Sequence, residues 1–332
     1  MGKPGNILIF AEQGDGEIHQ VSYELLGKGR EIADRLDIEL NAVLLGWQIE
    51  RKASELIYRG ADNVFLYDHP SLRDFDVIRY GRNIVKLVKE TNPNIFLIGA
   101  TRIGRTLAPR IAAALRTGLT ADCIDLALDE NANLIQIRPA FSGNIMAQIR
   151  TKTKPQMATV RYKVMKMRER DTRRKGKIIK MEVEVIEETG MKIIEKIRAD
   201  EVNLADAEVI VSGGRGLRRP EDFKILRELA EALGGVVGSS RPLVDAGWIS
   251  KDHQVGFSGN TVKPKVYIAC GISGSPQHLF GMRDSDVIIA INKDPTAPIF
   301  NVSDYGIVGD LYEVIPLLIH EIKNKVKRGE ET

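Results

Sequence analysis

EVIVSGGRG, Glu208 to Gly216, is followed by PEDFKILRELAEALGG, Pro220 to Gly235, and then by VVGSS, Val236 to Ser240. The first stretch is an apolar, β-branched run that stops in glycines. The second reads as a helix, and the third as a short strand ended by hydroxyls. A strand, a glycine turn, a helix and a strand in that order predict a βαβ unit with parallel strands joined by a right-handed crossover.

The same rhythm continues downstream in VKPKVYIACGISG (Val262 to Gly274), DVIIAINKD (Asp286 to Asp294) and a closing helix from Leu311 to Lys327. Repeated strands that end in glycine loops put a ligand crevice at the carboxyl edge of the sheet. Upstream, the strand candidates are Asn6 to Glu12, Asn41 to Trp47, Asn63 to Asp68 and Asn94 to Ala100. They alternate with amphipathic segments around Tyr23 to Leu36, Ser54 to Tyr58 and Asp76 to Glu90. From Thr120 the candidates crowd together, at Cys123 to Leu128, Leu134 to Arg138, Ile145 to Ile149 and Gln156 to Val160, which predicts an antiparallel extension of the first domain. MEVEVIEE and MKIIEKIRA, after Lys180, read as further strand-like segments. The expectation is an α/β protein of two domains, 1–204 and 205–332. Each is a mostly parallel sheet flanked by helices, and the C-terminal one is doubly wound.

Composition agrees with a two-domain globular chain: 332 residues exceed a typical single core of ~100 to 200 residues. A formal net charge of +3 does not by itself point to nucleic acid or an anionic membrane. Cys123 and Cys270 are the only cysteines, which excludes a disulfide framework and a four-thiolate metal site built from this chain alone. The apolar run Ile7 to Ala11 meets charge and glycine within a few residues, unlike a signal-peptide core, and no stretch approaches the ~20 apolar residues of a membrane span. The expectation is a cytoplasmic protein with no direct membrane insertion. The Lys- and Arg-rich segment Arg161 to Lys180 could be a nucleic-acid patch. With only Tyr162 available to stack on a base and Glu169 and Asp171 interrupting the charge, it reads better as a solvated domain edge.

The candidate chemistry lies in the loops that follow the C-terminal strands. Val211 to Gly216 combines glycines, which let a backbone approach an anion, with the charge of Arg215. Gly238 to Pro242 offers Ser240 and Arg241. Gln254 to Asn260 is another glycine- and hydroxyl-bearing turn. Ala269 to His278 leads through Pro276, which suits the first turn of a helix and brings His278 into that turn. Ile291 to Pro295 follows the next strand, and Asp310 stands where it could cap the last helix. Gly271-Ile272-Ser273-Gly274-Ser275 is not a nucleophile elbow, because serine stands where glycine is required. Amides, hydroxyls and arginines without paired acids describe a large cofactor site with no bond-breaking machinery: no catalytic residue and no metal ligand is assigned.

SGGRG (Ser212 to Gly216), GSSRPLVDAGW (Gly238 to Trp248), QVGFSG (Gln254 to Gly259), YIACGISGSPQH (Tyr267 to His278), IAINKDPTAPIF (Ile289 to Phe300) and DYGIVGDL (Asp304 to Leu311) together resemble the electron-transfer flavoprotein alpha-subunit family. The likeness extends upstream less sharply through GATRIGRTLAPRIAAALRTGLTADC (Gly99 to Cys123) and RPAFSGNIMAQI (Arg138 to Ile149). It implies a C-terminal FAD-binding domain and a heterodimer with a beta subunit that carries AMP or a second FAD. It also implies single electrons shuttled between partners of the acyl-CoA dehydrogenase and quinone oxidoreductase type. Motif by motif, the cofactor contacts fall on Arg215, Ser240, Arg241, Val255, Gly256, Phe257, Ser258, Ser273, Gly274, Ser275, Pro276, Gln277, His278, Asn292, Asp310 and Leu311. A reduced, anionic flavin needs positive charge or donors near N1 and O2, for which Arg241 and His278 are the candidates, and the motif brings the Ser258 hydroxyl to N5. Phe257 departs from the family, which often has glutamine there. The N-terminal stretch AEQGDGEIHQVSYELLGKGREIADRL looks more like the NADH-dependent, electron-bifurcating branch. The competing reading is a non-redox AMP- or ADP-binding regulatory module.

Overall fold

A computed structural model describes residues 5–140, 145–194, 204 and 206–327. The chain divides into two compact units, Met1–Ile194 and Glu195–Thr332. The expected boundary at 204/205 falls on Ala205, outside the described residues, as does most of the strand-like segment expected at 191–199. Leu204 is buried in the core of the second unit.

The first unit is built from β1 (Asn6–Ala11), a small hairpin of β2 (Gln13–Gly14) and β3 (Glu17–Ile18), α1 (Gln20–Leu36), β4 (Glu39–Gly46), α2 (Glu50–Tyr58), β5 (Asn63–Asp68), α3 (Val77–Thr91), β6 (Ile95–Gly99) and α4 (Arg102–Leu115). It continues with β7 (Leu119–Cys123), β8 (Asp125–Leu128), β9 (Leu134–Ala140), β10 (Ile145–Ile149), β11 (Gln156–Val160) and β12 (Lys177–Lys180). Seven of these strands form a sheet in the order β12-β5-β4-β1-β6-β11-β7, all parallel. Alternate residues of β1 explain the layering. Ile7 and Ile9 face the core under α1 and α2, and Leu8 and Phe10 face the core under α3 and α4.

Two expectations are corrected here. Gln156–Val160 is not antiparallel: β11 inserts as a parallel strand between β6 and β7. All five of its residues are buried, which suits a central strand covered on both faces. The antiparallel part is a separate three-stranded sheet, β10-β9-β8. The strand expected over Cys123 to Leu128 is accordingly split, with Cys123 pairing to Val160 in one sheet and Asp125 to Ile137 in the other. The second correction concerns MEVEVIEE, which forms no strand. Asn83 on α3 takes the place of a strand neighbour, accepting from Glu184 N at 2.8 Å and donating to Glu184 O at 3.2 Å.

The basic segment is absorbed by the first unit itself. Arg170 pairs with Glu55 at 2.7 Å, Arg174 with Asp62 at 3.3 Å and Lys180 with Glu50 at 2.9 Å, while Lys177–Lys180 closes the sheet edge against β5.

The second unit holds β13 (Val209–Gly213), α5 (Phe223–Ala232), β14 (Val236–Ser239), α6 (Arg241–Asp245), β15 (Val266–Cys270), α7 (Pro276–Leu279), β16 (Val287–Asn292), β17 (Tyr305–Val308) and α8 (Leu311–Lys327). Its five strands run parallel in the order β14-β13-β15-β16-β17. Val211, Ile268, Cys270 and Ile291 pack with α5 and α8 on one face; Ile210, Tyr267, Ala269 and Ala290 pack with Val255 and Met282 on the other. The chain leaves β13 toward β14 on one side and reaches β15 on the other, so the strand order reverses between β13 and β15. That reversal is where a parallel sheet opens a crevice beyond its carboxyl ends.

Candidate functional site

At the reversal the loops after β13 and β15 are packed backbone to backbone. Gly214 N donates to Cys270 O and Gly216 N to Gly271 O, both at 3.0 Å. Gly271 has φ +63°, and a Cβ on it would stand 2.7 Å from Gly216 Cα, so this junction needs glycine on both strands' loops.

Beside it lies a cleft of about 370 Å³. One wall is the turn into α6, with Ser240, Arg241, Pro242 and Asp245; the second is Gln254 to Ser258; the third is the turn into α7, with Ser275, Gln277 and His278. Val255 N donates to Ser239 O, and Phe257 N to Gln277 O, which ties the walls together. Gly256, at φ +142°, passes so close to the α7 turn that a Cβ would meet Gln277 O at 2.9 Å. Ser240 and Ser275 both stand at N-caps, yet neither hydroxyl caps its helix. Ser258 Oγ accepts from Gln254 Nε2 at 2.9 Å, which leaves its own proton to donate elsewhere. Arg241 is exposed and touches Asp245 at 3.1 Å across one helical turn, a weak pairing in water. Phe257 is 65% exposed at the lip, edge-on to Phe280.

The cleft therefore gathers Ser240, Arg241, Val255, Gly256, Phe257, Ser258, Ser275, Gln277 and His278 from the expected set. The remaining residues sit elsewhere on the same sheet edge. Arg215 is exposed on the β13 loop, and Ser273, Gly274 and Pro276 lie along the β15 loop and the start of α7. Asn292 ends β16 and donates to Ile272 O at 2.9 Å. Asp310 accepts from Tyr312 N at 2.9 Å at the start of α8 and pairs with Lys293 at 2.7 Å and Arg218 at 3.1 Å; the Lys293 hydrogen bond, first, holds it below the usual carboxylate range. The Leu311 side chain belongs to the core, packed with Ile315 and Ile319.

Burial favours the neutral form of His278 over the positive charge considered for it. Burial pushes its imidazole down to about 4; the Val255 backbone opposes this weakly and makes no hydrogen bond of ordinary geometry to Nδ1. Its Nε2 lies 3.0 Å from the Tyr267 hydroxyl, a fully buried group on β15 that the sequence reading did not assign to the site. Gln254, behind Ser258, was missed for the same reason: nothing in its motif distinguishes a supporting amide from a turn residue.

The corresponding reversal in the first unit, between β1 and β6, is spanned by a carboxylate. Glu12, 4% exposed, accepts from Thr101 Oγ1 at 2.5 Å, and Thr101 in turn caps α4 through Gly104 N. Burial raises Glu12 to about 7. A larger hollow of about 930 Å³ at the amino ends of β1, β4 and β6 has a charged lining made mainly of carboxylates, with Arg30 meeting Asp34 and Asp62 at 2.7 Å each. It lies away from the carboxyl-edge amides that suit an anion. Among the described residues no cluster of three or more His, Cys, Asp or Glu could hold a metal, and no helix is long and apolar enough to cross a membrane.

Fold and site define a class: two-unit α/β proteins whose second parallel sheet carries a carboxyl-edge cleft furnished for binding, without nucleophile, paired acids or metal ligands. Residues 7–186 match the electron transfer flavoprotein domain, and residues 203–283 match the electron transfer flavoprotein FAD-binding domain. The electron transfer flavoprotein subunit alpha of Thermoanaerobacterium thermosaccharolyticum is 53% identical over 96% of this chain and 98% of its own length. That of Megasphaera elsdenii is 48% identical over 96% of both chains. The lactate dehydrogenase (NAD(+), ferredoxin) subunit LctC of Acetobacterium woodii is 45% identical over 96% of this chain and 77% of its own. The chain belongs to the electron transfer flavoprotein alpha-subunit family.

Proposed function

We propose that the chain binds one FAD in its second unit and works in the cytoplasm as the alpha subunit of an electron-transfer flavoprotein, passing electrons singly from a dehydrogenase to a quinone reductase or other acceptor. Its partner is a beta subunit carrying AMP or a second FAD, contacted by the region up to residue 204, with 205–332 as the flavin domain. The observation that carries this reading is the cleft between α6, Gln254–Ser258 and α7. It has an arginine, uncommitted hydroxyls and a buried imidazole nitrogen without a partner on its walls, and glycine where a side chain would block the approach. Those groups fit a flavin: Arg241 supplies charge, Ser258 a hydroxyl donor, and Ser240, Ser275 and Gln277 polar contacts, while Arg215, Ser273, Gly274, Asn292 and Asp310 line the route for the rest of the dinucleotide. When bound, FAD supplies the one-electron chemistry that no side chain here can. Purified with its beta subunit, the protein is expected to be yellow with flavin absorption bands. A colourless complex that binds ADP tightly would favour the non-redox module instead.

We further propose that the complex bifurcates electrons, as suggested by the similarity to a subunit of a dehydrogenase named for both NAD(+) and ferredoxin. Two FAD per heterodimer is the expected count; one FAD and one AMP would contradict it.

A further inference from the structure

We infer that Tyr267 is a positioning residue: its phenol donates to Nε2 of His278 and fixes the imidazole as the neutral tautomer with its hydrogen on Nδ1, so that this wall of the cleft presents a cofactor with a held, uncharged ring. The inference deepens the FAD reading above and rests on it only for its second arm.

Three observations carry it. Tyr267 does not line the cleft; it lies beneath it on β15, fully buried, with its hydroxyl 3.0 Å from His278 Nε2. A buried phenol must place its hydrogen on an acceptor or forfeit about 1 to 3 kcal/mol. The other candidate, Ser212 on the neighbouring strand β13, contributes to holding the phenol's acidity but has no hydrogen bond of ordinary geometry at Oγ, whereas His278 Nε2 does. Donation from Tyr267 leaves Nε2 as an acceptor, and the ring's one hydrogen must then sit on Nδ1.

The surroundings of Nδ1 agree. It is buried without a hydrogen-bond partner, and the Val255 backbone acts on it in the direction of keeping a proton, which a carbonyl does and an amide N–H does not. His278 lines the cleft, so the ring held in this way forms part of its wall, with Nδ1 itself buried beneath the surface. Burial also opposes a second proton on the ring.

The full chain labelled with ¹⁵N-histidine tests this directly, since it has five histidines and His278→Gln assigns the signal. At neutral pH, long-range ¹⁵N–¹H spectra should show a pyrrole-type Nδ1 and a pyridine-type Nε2 for His278. In Tyr267→Phe the second tautomer should appear, and in the complex with the beta subunit the reduction potential of bound flavin should shift while FAD content stays at the wild-type level. A pyrrole-type Nε2 or a protonated ring in the wild-type chain overturns the inference, and needs no variant. So does a Tyr267→Phe spectrum with the original single tautomer, or an unchanged potential. A wild-type complex that takes up no flavin would sink the FAD reading while leaving the tautomer result standing.

Discussion

Glu12 and His278 carry the clearest pH signatures of individual residues. Burial pushes the Glu12 carboxyl from the ordinary 4.5 up to about 7, so the folded state favours its protonated form. That contribution is fully present below the unfolded value and is lost as pH rises through about 7. Glu12→Gln keeps an acceptor for Thr101 and removes the charge. The variant should gain roughly 2 to 3 kcal/mol over wild type at about pH 8 and clearly less at about pH 5. Denaturant unfolding at the two pH values checks this, and an equal difference at both would contradict the buried-acid account. His278 works through its depressed value, from 6.5 to about 4. The unfolded chain takes up a proton that the fold refuses, so stability falls as pH drops through that window, and His278→Gln should flatten this part of the profile. Arg241 then remains the source of positive charge in the cleft. Arg241→Ala should lower the flavin's reduction potential in the complex; an unchanged potential would remove the arginine from the site. The motif made His278 legible as a site residue. Its neutrality was not legible, because Tyr267 and Val255 bury it from other elements of the chain.

Among elements, the junction of the β13 and β15 loops bears most directly on the site. A Cβ at Gly216 would stand 2.6 Å from Gly271 Cα, backbone against backbone, so the loops must part to admit it. Gly216→Ala should cost about 2 kcal/mol or more and weaken flavin retention. Gly234 provides the contrast, with φ +64° and open space around it: alanine there should cost about 1 kcal/mol from backbone strain alone and leave flavin content unchanged. Thermal melts and flavin counts on both variants decide it; equal loss of flavin from both would mean that the junction does not shape the site. Four strands and the closing helix of the second unit were legible as apolar runs bounded by glycine and a terminal amphipathic pattern; the edge strand Tyr305–Val308, mostly exposed, was not. Gln156–Val160 was legible as a strand but its parallel pairing was not, since an apolar run says nothing about which neighbour it pairs with, and β11 finds β6 and β7 across long separations. MEVEVIEE has a strand's alternation, but Asn83 and Arg79 of α3 take its backbone groups, Arg79 donating to Ile186 O at 3.0 Å.

For the whole molecule, the two sheets share a winding pattern but differ at the point where strand order reverses. In the first unit a buried carboxylate ties β1 to the start of α4; in the second, glycine loops and a lined cleft stand open. That contrast supports the proposal that the cofactor binds to the second unit, and it was not available from glycine spacing alone, because GATRIG after β6 is as glycine-marked as SGGRG after β13. The basic segment, whose interrupted charge already favoured a solvated domain edge over a nucleic-acid surface, is met in the fold by Glu55, Asp62 and Glu50. The most direct test of the central claim is a crystal structure of the complex with its beta subunit, grown with the flavin that copurifies. Isoalloxazine density is expected in the cleft among Arg241, Ser258 and His278. Flavin in the alpha chain lodged instead beyond β1 and β6 of the first unit, with the second unit's cleft empty, would contradict it.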